Sequence, residues 1–313
     1  MTKRGAASGS GIHALGKTLY KQKYLQLMTL PGIVFLIIFS YIPMYGIVIA
    51  FKNYKITRTI AASPWIGFEY FKELFGVREF YGIIGNTLAI SGLKLLAAFP
   101  LSILFALLLN EIRHSFFKRL VQTISYLPHF LSWVILSGII IPWLSESGFL
   151  NEVLVLAGIL KEPVGFLAFP RYFWFIAVLT EVWKETGWSA IIFIAAISGV
   201  DTQIYEAATI DGIGRFRRMW NITLPCISGT IAMIFVLNAG GLMGSNFDQI
   251  FILKNVLNAP RAEVIDTYVF ETGIRHGRYS YAAAAGLFQS VTALLLLLTA
   301  NTVSKKMRGD ALF

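Results

Sequence analysis

Six stretches of this chain are each long and apolar enough to cross a bilayer as a helix, which takes roughly 20 residues. They are residues 27–51, 84–109, 121–144, 172–198, 227–247 and 283–303. None alternates polar and apolar residues with period two, so helices are favoured over a β-barrel. Hydrophobic residues make up 56% of the chain and charged residues 14%, against about 25% charged in soluble domains. So much apolar surface cannot hide in a water-soluble core. The expected fold class is all-α: a polytopic membrane protein with six transmembrane helices. A disordered chain, a coiled coil and an ordinary cytosolic enzyme are excluded. Cys226 stands alone, so neither an internal disulfide nor a cysteine zinc site can form.

Lysine and arginine in the connecting segments set the orientation. With the N-terminus inside, the inner segments are 1–26, 110–120, 199–226 and 304–313; they hold 14 basic and 5 acidic residues, a net +9. The outer segments 52–83, 145–171 and 248–282 hold 11 basic and 10 acidic residues, a net +1. Both termini are therefore expected in the cytoplasm. The overall +10 charge needs no nucleic acid, because basic residues belong beside anionic lipid headgroups. Residues 27–51 are too long for a signal-peptide core and read as a retained first span. Ahead of it, Lys17, Lys21 and Lys23 interleave with Leu15, Leu19, Tyr20 and Tyr24, which suits a short interfacial helix with snorkelling lysines. The first ten residues read as a mobile tail. The expected organisation is a cytoplasmic tail and interfacial helix over 1–26, a six-helix domain over 27–303, and a cytoplasmic tail over 304–313.

Gly11-Ile12-His13-Ala14-Leu15-Gly16-Lys17-Thr18 matches a P-loop pattern. A P-loop needs a buried strand before it and a helix after it. The preceding residues are polar and Gly/Ser-rich, and no inner segment is long enough for a nucleotide-binding domain. The match reads as coincidence, so any ATP is bound by another chain.

The longest interior inner connection, 199–226, carries the strongest signal. Asp201 or Thr202 can cap a helix, residues 203–211 can form it, and Gly212 can stop it. Ala207 and Ala208 make one face small, so a partner surface can approach closely. Glu206-Ala207-Ala208, Asp211-Gly212 and, ten positions after Gly212, Ile222-x-Leu224-Pro225 resemble the EAA loop of binding-protein-dependent ABC importer permeases. All the anchor positions match. Further runs resemble the oligosaccharide branch of that family, the LplB/MalF-like permeases: Tyr41-Ile42-Pro43-Met44-Tyr45-Gly46, Tyr126-Leu127-Pro128-His129-Phe130, Trp183-Lys184-Glu185-Thr186-Gly187-Trp188 and Tyr279-Ser280-Tyr281-Ala282-Ala283. The resemblance covers nearly the whole chain after residue 20. It implies a MetI-like permease of a bacterial plasma membrane, moving a sugar or oligosaccharide inward. It also implies that segment 199–226 holds a coupling helix seated in an ATPase groove. The implied partners are a second homologous permease, two ATPase subunits carrying ATP and Mg, and an extracellular or periplasmic solute-binding protein. This chain would itself hold no cofactor and perform no catalysis.

Ionisable residues inside spans are costly and usually face the bundle interior. Glu181, Lys184 and Glu185 fall at i, i+3 and i+4, so Lys184 can pair with either carboxylate. They read either as an internal ion pair or as part of a polar translocation path, with Trp183 or Trp188 stacking on sugar rings. Lys94 is alone in its span and is expected to meet a partner permease or a carboxylate such as Glu181. Gly240 and Gly244 form a GxxxG pair. Asn238, Asn246, Gln249 and Gln289 serve either interhelical hydrogen bonding or sugar hydroxyl recognition. His129 reads as structural, and the scattered histidines suggest no metal site. Two alternatives are an ion-coupled carrier using Glu181 and Glu185 as proton sites, and an ABC permease for a non-sugar solute. The first leaves the 206–225 pattern unexplained, and no catalytic grouping favours an intramembrane enzyme.

Overall fold

The computed structural model describes residues 21–308. The P-loop-like run 11–18, the first ten residues and most of the proposed interfacial helix lie outside the described residues. The helices in chain order are α1 (Lys23–Phe51), α2 (Glu69–Gly76), α3 (Arg78–Asn110), α4 (Ser115–Phe130) and α5 (Trp133–Trp143). Next come α6 (Phe149–Leu156), α7 (Pro170–Ser198), α8 (Thr202–Ile210), α9 (Arg215–Cys226) and α10 (Ser228–Met243). The last are α11 (Phe247–Leu253), α12 (Ala259–Ala262), α13 (Ile265–Phe270) and α14 (Tyr279–Arg308). Among the described residues the one β-type pairing is an isolated bridge between Lys52 and Trp65.

Within α1, α3 and α14, single unbroken helices are long and apolar enough to cross a membrane. The other three candidates pass only as bent pairs, giving up to six spans. Two expected spans are corrected here. Residues 121–144 are not one helix: α4 and α5 meet at 97°. Leu131 is extended, and the Ser132 hydroxyl accepts a bond from the Ile135 N–H, starting a new helix. Residues 227–247 are not one helix either. The helix stops at Met243, and Asn246 sits in the left-handed region at φ 62°, which asparagine tolerates better than most residues. Its side chain then caps α11. Hydropathy sees neither break, because both flanks are apolar.

Two π-turns have a common cause. Ile37–Tyr41 precedes Pro43, and Met219–Thr223 precedes Pro225. A proline ring crowds the carbonyl four residues back and offers no N–H to it. In both cases that carbonyl, of Phe39 or Asn221, falls inside the widened turn.

The core is built around α3 lying along α7. Ala106, Leu107, Ala190, Phe193 and Ile197 are buried together toward one end, and Ile90, Phe173, Ile176 and Ala177 toward the other. Helix α4 crosses α7 at Gly187, where an added Cβ would stand 2.1 Å from the Ser125 carbonyl oxygen. Helix α14 packs against α10, α2 and the Tyr45–Phe51 turn of α1. Gly240 meets Leu297 there, but Gly244 lies beyond the end of α10. The expected GxxxG face is therefore reduced to Gly240.

Candidate functional site: a midspan cavity and a cytoplasmic-loop helix

A cavity of about 830 Å³ opens between α3, α7, α10 and the Gly244–Asn246 turn. Lys94, only 8% exposed, stands in its wall. Its ammonium donates to Gln249 Oε1 at 2.5 Å, to the Ser245 carbonyl at 3.1 Å and to Glu181 Oε2 at 3.4 Å. Three acceptors for three N–H bonds satisfy the buried ammonium. Gln249 is fixed in turn by donating to the Ala177 carbonyl and Thr180 Oγ1. Asn246 donates to Glu181 Oε2 at 3.1 Å. The left-handed turn at Asn246 is what brings the Ser245 carbonyl and the Asn246 amide to the same ion pair.

One helical turn along α7 a second pair forms. Lys184 donates to Glu185 Oε1 at 3.0 Å and to the His129 carbonyl at 2.7 Å. Glu185 Oε2 lies 2.8 Å from His129 Nδ1. The His129 ring stacks flat on Trp188, with centroids 4.2 Å apart and planes 2° apart.

The structure sorts the sequence-predicted residues. Glu181, Trp188, Asn238 and Asn246 reach the cavity. Lys184 is buried behind it, bonded to Glu185 and His129. It pairs with Glu185 and not with Glu181, whose partner is Lys94. Trp183 is 53% exposed and is not in the cavity wall. Gln289 lies elsewhere, donating to the Met243 carbonyl and to Asp266 Oδ1. Asp266 also accepts from the Ser245 N–H, so Gln289 buttresses the turn from behind. Sequence reasoning missed Ser91, one turn before Lys94, whose hydroxyl bonds the Gly244 carbonyl. The i, i+3 spacing on a polar face of α3 was the available signal.

The second region is α8 and its flanks. Asp201 caps it by accepting from the Gln203 N–H. The helix runs Thr202–Ile210, one residue earlier than expected at each end. Gly212 adopts φ +70°, and the Ile213 N–H returns to the Ala208 carbonyl, closing the helix as a left-handed cap does. Glu206, Ala207 and Asp211 are exposed, and Ala208 is buried. Ile222 faces Ala207 and Ala208 across a shallow notch. Leu224 packs against the cluster containing Met219 and Ile227, and Pro225 is exposed.

Residues 98–309 match the model of the binding-protein-dependent transport system inner membrane component family. The chain belongs to that family. This permease is 41% identical over 307 residues to Protein LplB of Bacillus subtilis, covering 98% of this chain and 96% of the relative. It is 42% identical over 296 residues to the polygalacturonan/rhamnogalacturonan transport system permease protein YteP of the same species, covering 94% and 92%. It superposes with TM-score 0.86 and 39% identity on a bacterial ABC transporter involved in import of the acidic polysaccharide alginate, covering 94% of this chain and 99% of that one. A second crystal structure of the alginate transporter, bound to an alginate pentasaccharide-loaded periplasmic protein, matches equally well with TM-score 0.86. This chain is thus a multi-pass permease subunit of an ABC importer.

Proposed function

We propose that this permease forms half of the membrane path for an acidic oligosaccharide, entering from an external solute-binding protein. A second, homologous permease supplies the facing half. Two ATPase subunits hold ATP and Mg on the cytoplasmic side, where both termini and α8 lie. One observation carries the reading. The same unbroken helix, α7, places Glu181, Glu185 and Trp188 at the cavity and ends at the Asp201 cap of α8. From Trp188 to Ser198 is roughly 15 Å of helix at about 1.5 Å per residue. A push on α8 therefore reaches the cavity wall through a single short joint, the 76° bend over residues 199–201. In this reading Glu206, Ala207, Asp211 and Gly212 present the coupling surface, while the buried Ala208, with Ile222 and Leu224, seats it on the bundle beside the exposed Pro225.

The cavity has the groups a sugar requires: a flat aromatic in Trp188, amides in Asn238 and Asn246, and the Ser189 hydroxyl. The relatives named for polygalacturonan and alginate favour a uronate-bearing substrate; the cavity wall itself holds Lys94 paired to Glu181, with Glu185 beside them. The test is purification of the transporter in mild detergent from its native membrane, with partners identified. The co-purified binding protein is then titrated with tetragalacturonate, tetramannuronate and maltotetraose. A second permease, an ATPase and ATP hydrolysis stimulated by a uronate-loaded binding protein are expected. Preference for maltotetraose would overturn the acidic substrate. Uptake that persists without ATP and stops on collapse of an ion gradient would overturn the importer reading.

A further inference from the structure

The residue pair Glu111 and Arg218 has no part in the cavity or in the coupling surface. Glu111 closes the C-terminal end of α3, 17 residues beyond Lys94. Arg218 lies in α9, six residues beyond the left-handed Gly212. Arg218 Nη2 donates to Glu111 Oε2 at 2.7 Å. The guanidinium also lies over the ring of Tyr205, 5.7 Å from its centroid. Tyr205 belongs to α8, and its hydroxyl donates to Thr223 Oγ1 at 3.1 Å. The guanidinium is thus held between α8 and the end of the helix that carries Lys94.

The contact is half used. Glu111 Oε1 and Arg218 Nε are both buried and have no hydrogen-bond partner. An arginine fork and a carboxylate fit each other through two parallel bonds, and buried polar atoms left unpaired cost free energy. Bringing the two idle atoms together would turn the single bond into the two-point pairing that a guanidinium fork and a carboxylate favour.

We propose that Arg218 is a positioning residue that transmits movement of α8 to α3, by shifting its contact with Glu111 from one bond to two. Without it, α8 is tied by the chain itself to α7 and α9, and α3 is left to follow passively. The inference rests on the reading of Thr202–Ile210 as the coupling helix.

The test uses the whole transporter, with partner permease, ATPases and binding protein, in lipid nanodiscs. The reference chain carries Cys226→Ser and Leu237→Cys. Leu237 is half exposed at the cavity wall, and maleimide labelling there reads opening and closing. ATP with orthovanadate is expected to change the labelling rate by about tenfold, within the usual range of coupling between sites. Arg218→Lys keeps the charge but cannot form the fork. It should assemble and hydrolyse ATP, yet lose most of the nucleotide-driven change. Glu111→Gln removes the second strong acceptor from the α3 side and should do the same. An assembled variant of either kind that keeps the full change overturns the inference. So does failure of both to assemble, which would make the contact a requirement for assembly and not for motion. If the reference chain itself shows no nucleotide-dependent change, the coupling reading falls first and the inference falls with it.

Discussion

Helices α1 and α7 are both long, apolar and recognisable from hydropathy, yet they live in different surroundings. From residue 23 to residue 44, α1 buries nothing against the rest of the chain. Its only buried residue is Ala50, in the last turn that meets α14. Helix α7 buries Phe173, Ile176, Ala177, Lys184, Gly187, Ala190, Phe193 and Ile197 along its length. It also carries both carboxylates of the two ion pairs. In a membrane, apolar contact between helices is not rewarded over contact with lipid tails. Uniform apolarity thus leaves α1 free of this bundle, whereas small and polar residues lock α7 into it. The difference teaches that crossing the membrane and holding the bundle are separate jobs.

The strongest way to break that contrast is to disturb the polar lock. Lys94→Met leaves Glu181 part-buried at the cavity wall with Asn246 as its remaining partner. Removing one member of a buried pair typically costs about 3–5 kcal/mol, and the expected outcome is a large fall in the melting temperature of the detergent-solubilised complex, or loss of assembly. Adding Glu181→Gln removes the stranded charge and should recover most of the loss. Unchanged melting of the single variant would show that the pair does not hold α3 to α7.

How much of this was legible beforehand follows the range of each signal. The α8 region was readable because every cue is local: the Asp201 cap, the alanine face and Gly212 lie within a dozen residues. The bend at Leu131 was not, since a hydropathy window records composition and not direction. Lys184 was open to either carboxylate by spacing, and only tertiary contact, the His129 carbonyl and ring, selects Glu185. Gln289 was open to interhelical bonding or sugar recognition, and its amide donates to the Met243 carbonyl and Asp266. Nothing in its neighbourhood along the chain announces that. Arg218 and Glu111 are 107 residues apart, so one sequence could not join them.

The two regions also make opposite predictions for the same mutation. Gly187→Ala drives a methyl into the Ser125 backbone and forces α4 and α7 apart, an overpacking cost of roughly 1–3 kcal/mol. Gly32→Ala in α1 meets no atom within 4 Å. It exchanges a poor helix former for the best one, a change of up to about 1 kcal/mol in the favourable direction. Melting of the purified complex should fall for the first and hold or rise for the second. Equal losses would mean that α1 is packed in the assembly as tightly as α7.

The smallest effect separates two tryptophans on α7. Trp188 lines the cavity with its ring braced on His129, while Trp183, five residues earlier, faces outward at 53% exposure. Aromatic stacking contributes about 1 kcal/mol beyond area burial, roughly fivefold in affinity. Trp188→Phe keeps an aromatic face and should change uptake little, and Trp188→Ala should slow it by about that fivefold factor. Trp183→Ala should leave transport within about twofold, because an outward ring loses contact with lipid or a neighbouring subunit and not with the solute. Uptake measured at limiting concentrations of loaded binding protein reads the difference. If Trp183→Ala slowed uptake more than Trp188→Ala, the path would run along the opposite face of α7, and the cavity would be packing space.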